Sequence, residues 1–156
     1  MKAVVRILAV ALIATPVAAA DPPGFKMWSA GELEKHNETL ALHVAADHSS
    51  RETLADYGSH RFRMLYRDAD GNPEQHDAII DIVLVQSGEG TLIVGGSMTG
   101  RTVTAPGESV GTGLQGGDPH PLRAGDVVHL PAGVPHSFHV APGKHLTYVL
   151  LKIPAK

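Results

Sequence analysis

An all-β domain, a sandwich or barrel of short strands with one flanking helix, is what this sequence predicts, and three observations carry the prediction. From Ser50 onward, short apolar runs are cut repeatedly by Gly, Pro, Asp and Asn. Only one segment ahead of them, WSAGELEKHNETLALHV, shows helical spacing. Aromatic residues make up 4% of the chain, so the core must rest on Val, Leu, Ile and Ala.

Residues 1–20, MKAVVRILAVALIATPVAAA, read as a signal peptide rather than as part of that domain. Lys2 and Arg6 form a basic n-region, Ile7 to Ile13 an apolar run, and Ala18, Ala19 and Ala20 a small-residue cleavage site ahead of Asp21. The apolar run is short for a membrane span of about 20 residues, and the alternative, an uncleaved anchor, finds no second long apolar segment. Cleavage after Ala20 implies a secreted or periplasmic protein of one domain. It also leaves 11 basic against 16 acidic residues. A net charge of −5 without a Lys/Arg cluster argues against nucleic-acid or membrane partners. There is no cysteine, so disulfides cannot stabilise an exported fold.

Residues 21–49 comprise a Pro-rich lead, DPPGF, and the helix. Ser29 and Glu32 have capping-box spacing, Trp28 and Leu33 that of a hydrophobic staple, and Leu33, Leu40 and Val44 fall near one face. Residues 50–156 hold the strands. SHRFRMLYRD alternates, with Phe62, Met64 and Tyr66 on one side and Arg61, Arg63, Leu65 and Arg67 on the other, the arginines expected toward solvent. DADGNPE is a turn cluster. AIIDIVLVQ, a turn at Ser87–Gly90, TLIVGG, DVVHLP, HSFHV and HLTYVLLKI follow. The Gly-rich stretch GESVGTGLQGG precedes no helix, so it is not a phosphate loop; a mobile hairpin at a barrel mouth, as lid or plain connector, is expected.

Two motifs stand half a chain apart. Gly125-x5-Pro131-x-Gly133-x2-His136 lies in GDVVHLPAGVPHSFH, and EQHDAIIDIVLVQSGEG places Glu74-x-His76, then Asp81, then Gly88. Together they resemble the two cupin motifs, with Glu74 in place of a histidine and Asp81 in place of a glutamate. The resemblance implies a double-stranded β-helix, or jelly-roll, barrel over most of residues 50–156, with a metal in its lumen.

Alternate strand residues share a face, so Glu74 and His76 can both enter a lumen, and His136 can reach it from the opposite wall. His76, His136, Asp81 and Glu74 are therefore the candidate metal ligands. Imidazoles with carboxylates suit Fe(II), Mn, Ni, Cu or Zn alike. His129 is a second-tier pocket candidate, since either face of VVHL can be the inner one. Arg63 and Tyr66 are two more, because an inward arginine would grip a carboxylate through paired hydrogen bonds. His139 is expected on an outer face.

Three functions follow from the resemblance. The first is a metal-dependent enzyme of oxygenase, decarboxylase or isomerase class acting on a small molecule. The second is a module that binds a metal or small ligand without turnover. The third is a metal-free barrel that pairs through sheet edges as a homodimer.

Overall fold

Helix α1 (Ala30–Ala41) begins where its sequence allows its first amides to be satisfied. The Ser29 hydroxyl accepts from the Glu32 amide at 3.3 Å, and the Glu32 carboxylate accepts from the Ser29 amide at 2.8 Å, completing the capping box. The computed structural model of the protein describes residues 20–156. Apart from Ala20, the expected signal segment lies outside the described residues. Among those residues, no helix is long and apolar enough to cross a membrane.

Twelve strands follow the helix. They are β1 (Ser49–Asp56), β2 (Arg61–Arg67), β3 (Glu74–His76), β4 (Ile79–Val94), β5 (Ser97–Thr99) and β6 (Thr102–Ala105). Then come β7 (Glu108–Val110), β8 (Gly113–Gln115), β9 (Asp118–Arg123), β10 (Val127–Leu130), β11 (His136–His139) and β12 (Leu146–Pro154). Ten join one antiparallel sheet ordered β1-β2-β12-β4-β11-β3-β7-β6, with β9 and β10 also on β4; β5 and β8 form a separate ribbon. The sheet curls into a half-barrel.

The curl depends on β4. The expected turn at Ser87–Gly90 does not form: the two strands foreseen there are one strand of 16 residues that bends. Its first part pairs with β12 and β10, and its second with β11 and β9. The bend falls at a register shift opposite Thr147/Tyr148 and at Gly88, whose φ of +76° suits glycine. Hydrogen bonding on both sides holds the chain extended through residues that would otherwise make a turn.

The Gly-rich stretch is likewise built into β7 and β8 rather than forming a plain connector. Strand β1, which shows little alternation in its sequence, pairs along β2.

The two faces of β2 settle differently from expectation. Phe62, Met64 and Tyr66 pack beneath α1 with Leu33, Leu40 and Val149. Leu65 instead joins the barrel core with Val83, Leu92, Leu130, Phe138, Leu146, Tyr148 and Leu150. The face shared by Arg63, Leu65 and Arg67 is thus the inner one; Arg67 is buried and Arg63 half-buried. The helix supplies the apolar cover that makes the Phe-Met-Tyr face a second core. Completely burying Leu92 and Leu146 contributes about 1.5–3 kcal/mol each.

Candidate metal centre

Three buried residues from three strands converge at one end of this core. His76 ends β3, Asp81 lies near the start of β4 and His136 opens β11; they are 6%, 3% and 3% exposed. One ligand atom from each lies within 4.8 Å of the others, so the group could hold a metal ion. His76 Nε2 stands 3.4 Å from Asp81 Oδ2, and the two imidazole centroids are 5.5 Å apart. Donors about 2.1 Å from a tetrahedral ion lie roughly 3.4 Å from one another, so the His76–Asp81 spacing fits.

Local sequence explains the convergence. Asp81 continues the inward alternation of Val83 and Val85, between Leu130 of β10 and Lys152 of β12 in the register. His136 follows the Pro131-x-Gly133 turn. Gly133, at φ +78°, donates its amide to the His76 carbonyl at 2.7 Å, which ties that turn to the end of β3.

Each histidine is also tied at Nδ1. That of His76 meets the Glu108 carboxylate, and that of His136 meets the Val134 carbonyl at 3.1 Å. In the neutral tautomer with Nδ1 protonated and donating, each Nε2 carries a lone pair it could offer a metal, although that of His76 here faces Asp81 and Lys152.

The charges act on one another. Burial alone would raise the Asp81 pKa, but the His76 hydrogen bond and Lys152 outweigh it and hold the carboxyl below its ordinary value. Burial and Lys152 pull His76 down; the hydrogen bond to Asp81 and the Asp81 and Glu74 charges outweigh them, so its pKa is raised. Burial dominates at His136 and lowers its pKa, which favours the neutral, ligating form.

Glu74 stands apart from this trio. Its side chain is 40% exposed and its Oε2 lies 3.6 Å from His76 Nε2, which places it at the rim. His129 shares the exposed outer face with Val127, while Val128 and Leu130 turn inward; the pocket reading for His129 therefore fails. Tyr66 also leaves the pocket, since it lies under α1 and stacks on His145 at 5.5 Å. His139 faces outward and pairs with Asp70 at 3.3 Å. Arg63 does face inward, and its buried Nε has no hydrogen-bond partner among the described residues.

Two residues of the site escaped sequence reasoning. Lys152 donates to Asp81 Oδ1 and Oδ2 at 2.9 and 3.0 Å and reaches His76 Nε2 at 3.0 Å. A lone cation in the apolar run LTYVLLKI was the signal available for it. Glu108 sits in the Gly-rich stretch, where nothing in the sequence marks it. Both line a cleft of about 360 Å³ together with Asp56, Arg61 and Arg63. A larger groove of about 620 Å³ between α1 and β1 contains no residue of the cluster.

No protein-family model matches the chain, and no curated protein does. Solved structures do. A cupin-2 domain from Rhodospirillum rubrum is similar at TM-score 0.51 and 15% identity, over 68% of this chain and 60% of that one. The fold is that of the cupins. KdgF from Halomonas sp. shares this cupin fold at TM-score 0.50 and 18% identity, over 73% of this chain and 86% of its own. A predicted oxalate decarboxylase from Thermotoga maritima is similar at 0.51 and 17%, over 68% and 80%. The chain thus spans less than two thirds of the Rhodospirillum protein and most of the other two. The cupin motifs read from the sequence coincide with the cluster: His76, Asp81 and His136 are both the motif positions and the converging side chains.

Proposed function

We propose that the chain is an exported single-domain cupin, released after Ala20, that binds a divalent transition metal through His76, Asp81 and His136 and acts on a small carboxylate. Glu74 serves as a rim donor. The observation that carries this reading is the convergence, within 4.8 Å, of one ligand atom from each of two imidazoles anchored at Nδ1 and from one buried carboxylate. When bound, a metal in such a site supplies a Lewis acid that polarises a substrate oxygen.

The remaining chemistry belongs to the chain. The core residues exclude water from the inner side of the cluster, while the cleft beside Lys152 and Glu108 leads to solvent. Arg63 lines that cleft with an unsatisfied Nε, an arrangement suited to accepting a carboxylate by paired hydrogen bonds. Oxygenation, decarboxylation and isomerisation are the reaction classes that the cupin resemblance supports.

A second reading, ligand capture without turnover, is favoured by one observation. Asp81 is already neutralised by Lys152, leaving no free carboxylate within the trio to act as a base.

The deciding measurement is the metal content of protein purified without a histidine tag. The expected result is one first-row metal per chain in the wild type and its loss in His76→Ala and His136→Ala. A metal at 100 times its dissociation constant stabilises by about 2.7 kcal/mol. Wild type without metal, and variants of unchanged thermal stability, would refute the reading. Oxygen uptake and product formation across a panel of small carboxylates then separate enzyme from binder.

A further inference from the structure

Lys152 contacts two of the three residues that would hold a metal. It is the Cα partner of Asp81 across β12 and β4, and it continues the inward face of Leu146, Tyr148 and Leu150. Its ammonium lies 2.9 and 3.0 Å from the two Asp81 oxygens and 3.0 Å from His76 Nε2. These atoms supply the lone pairs that two of the three ligands would give a metal. The side chain is 18% exposed, against 4% for that of Asp81, so the ammonium fills the seam between the buried cluster and the outer cleft.

We propose that Lys152 is a tethered cation that competes with the metal for Asp81 and His76, so that the metal is held only when the ammonium withdraws into the cleft. This rests on the metal-binding reading above. A metal about 2.1 Å from the same donors would sit within bonding range of the ammonium's present position, and two cations cannot share those lone pairs. Room for withdrawal exists: the cleft of about 360 Å³ is lined by Lys152 itself, by Glu108, by Asp56 in its pair with Arg61 at 2.7 Å, and by Arg63. Glu108 is the residue that orients His76, so an ammonium moved toward it remains beside the site. The competition is one of charge and place, and requires no change in protonation.

The arrangement assigns Lys152 two opposite effects. Without metal it compensates a buried carboxylate, whose isolation would be costly. With metal it is a rival.

The test uses the full-length mature protein, stripped with a chelator, and calorimetric titration with Zn²⁺ and separately with Mn²⁺. Lys152→Met, which keeps the length and removes the charge, should bind at least tenfold more tightly than wild type. Its stripped form should melt below stripped wild type, and the gap should close or reverse at saturating metal. Binding by Lys152→Met alone would also support the proposal. Equal affinities, or weaker binding by the variant, would overturn it while leaving the metal site intact. Absence of binding by both proteins would overturn the metal reading and this inference with it. Should circular dichroism show Lys152→Met to be unfolded, Lys152→Gln takes its place, with the same expected order.

Discussion

Glu108 accepts a hydrogen bond from His76 Nδ1 across 32 residues of sequence, and the two are Cα partners in the register of β3 and β7. The contact fixes which imidazole nitrogen faces Asp81 and His136. A carboxylate behind a ligating histidine orients the ring and raises its basicity, and its loss costs 10- to 100-fold in metal affinity in comparable sites. Glu108→Ala should therefore weaken metal binding by about that factor without abolishing it, as read by titration of the stripped protein. An unchanged dissociation constant would show that packing alone orients His76.

Arg63 makes a separate prediction about the ligand. Its face is the inner one, and its Nε has no hydrogen-bond partner among the described residues. Arg63→Met should raise the dissociation constant of a small carboxylate by about tenfold or more, with little effect on metal content. Arg63→Lys should restore only part of the affinity, because an ammonium lacks the planar fork. A carboxylate bound equally well by all three proteins would place its subsite elsewhere.

Tyr148 should govern alkaline stability. Its side chain is 2% exposed and its ring stacks on Phe138 at 4.8 Å. Burial, with the nearby Glu74 and Asp81 charges, pushes its pKa up to about 12 from 10.0, against the opposing pull of Arg67. The folded form therefore holds the proton more tightly than the unfolded one. The stability this confers is complete below pH 10 and is lost as the pH rises through 12. Two units correspond to about 3 kcal/mol. Denaturant melts between pH 9 and 12, with phenolate absorbance followed alongside, should show that loss, and Tyr148→Phe should flatten it.

Gly88 tests the bend in β4. A β-carbon there would strike the carbonyl of His145, the group that accepts the Glu89 amide at 2.8 Å, and φ is +76°. Gly88→Ala combines left-handed strain with overpacking and should cost about 2–4 kcal/mol. Thermal melts of the variant check this; a loss below about 0.5 kcal/mol would mean that the strand does not need its glycine.

Much of this molecule is legible in its residues. Ser29 and Glu32 announce the helix start because capping is a local hydrogen-bond exchange. His76, Asp81 and His136 are legible as a set because motif spacing reflects where a strand or turn presents a side chain. The faces of β2 were not. Alternation separates Phe62, Met64 and Tyr66 from Arg63, Leu65 and Arg67, but both faces are covered here, one by α1 and the other by the barrel wall. A period of two says that two faces differ, without saying which neighbour each will meet. His129 and Tyr66 fell outside the pocket for the same reason.

The sequence by itself determined an all-β chain with one capped helix, and its motif spacing marked Glu74, His76, Asp81 and His136 as candidate ligands, because strand alternation, turn chemistry and capping act between residues close in the chain. Only the tertiary structure decided that Ser87–Gly90 would run straight through as one bent strand, since hydrogen bonds from β11, β12 and β9 override the local turn preference. It also decided that Glu108 would stand behind His76 and Lys152 before Asp81. Those contacts span 32 and 71 residues and depend on strand register, which the packing of two whole faces sets and no local pattern records.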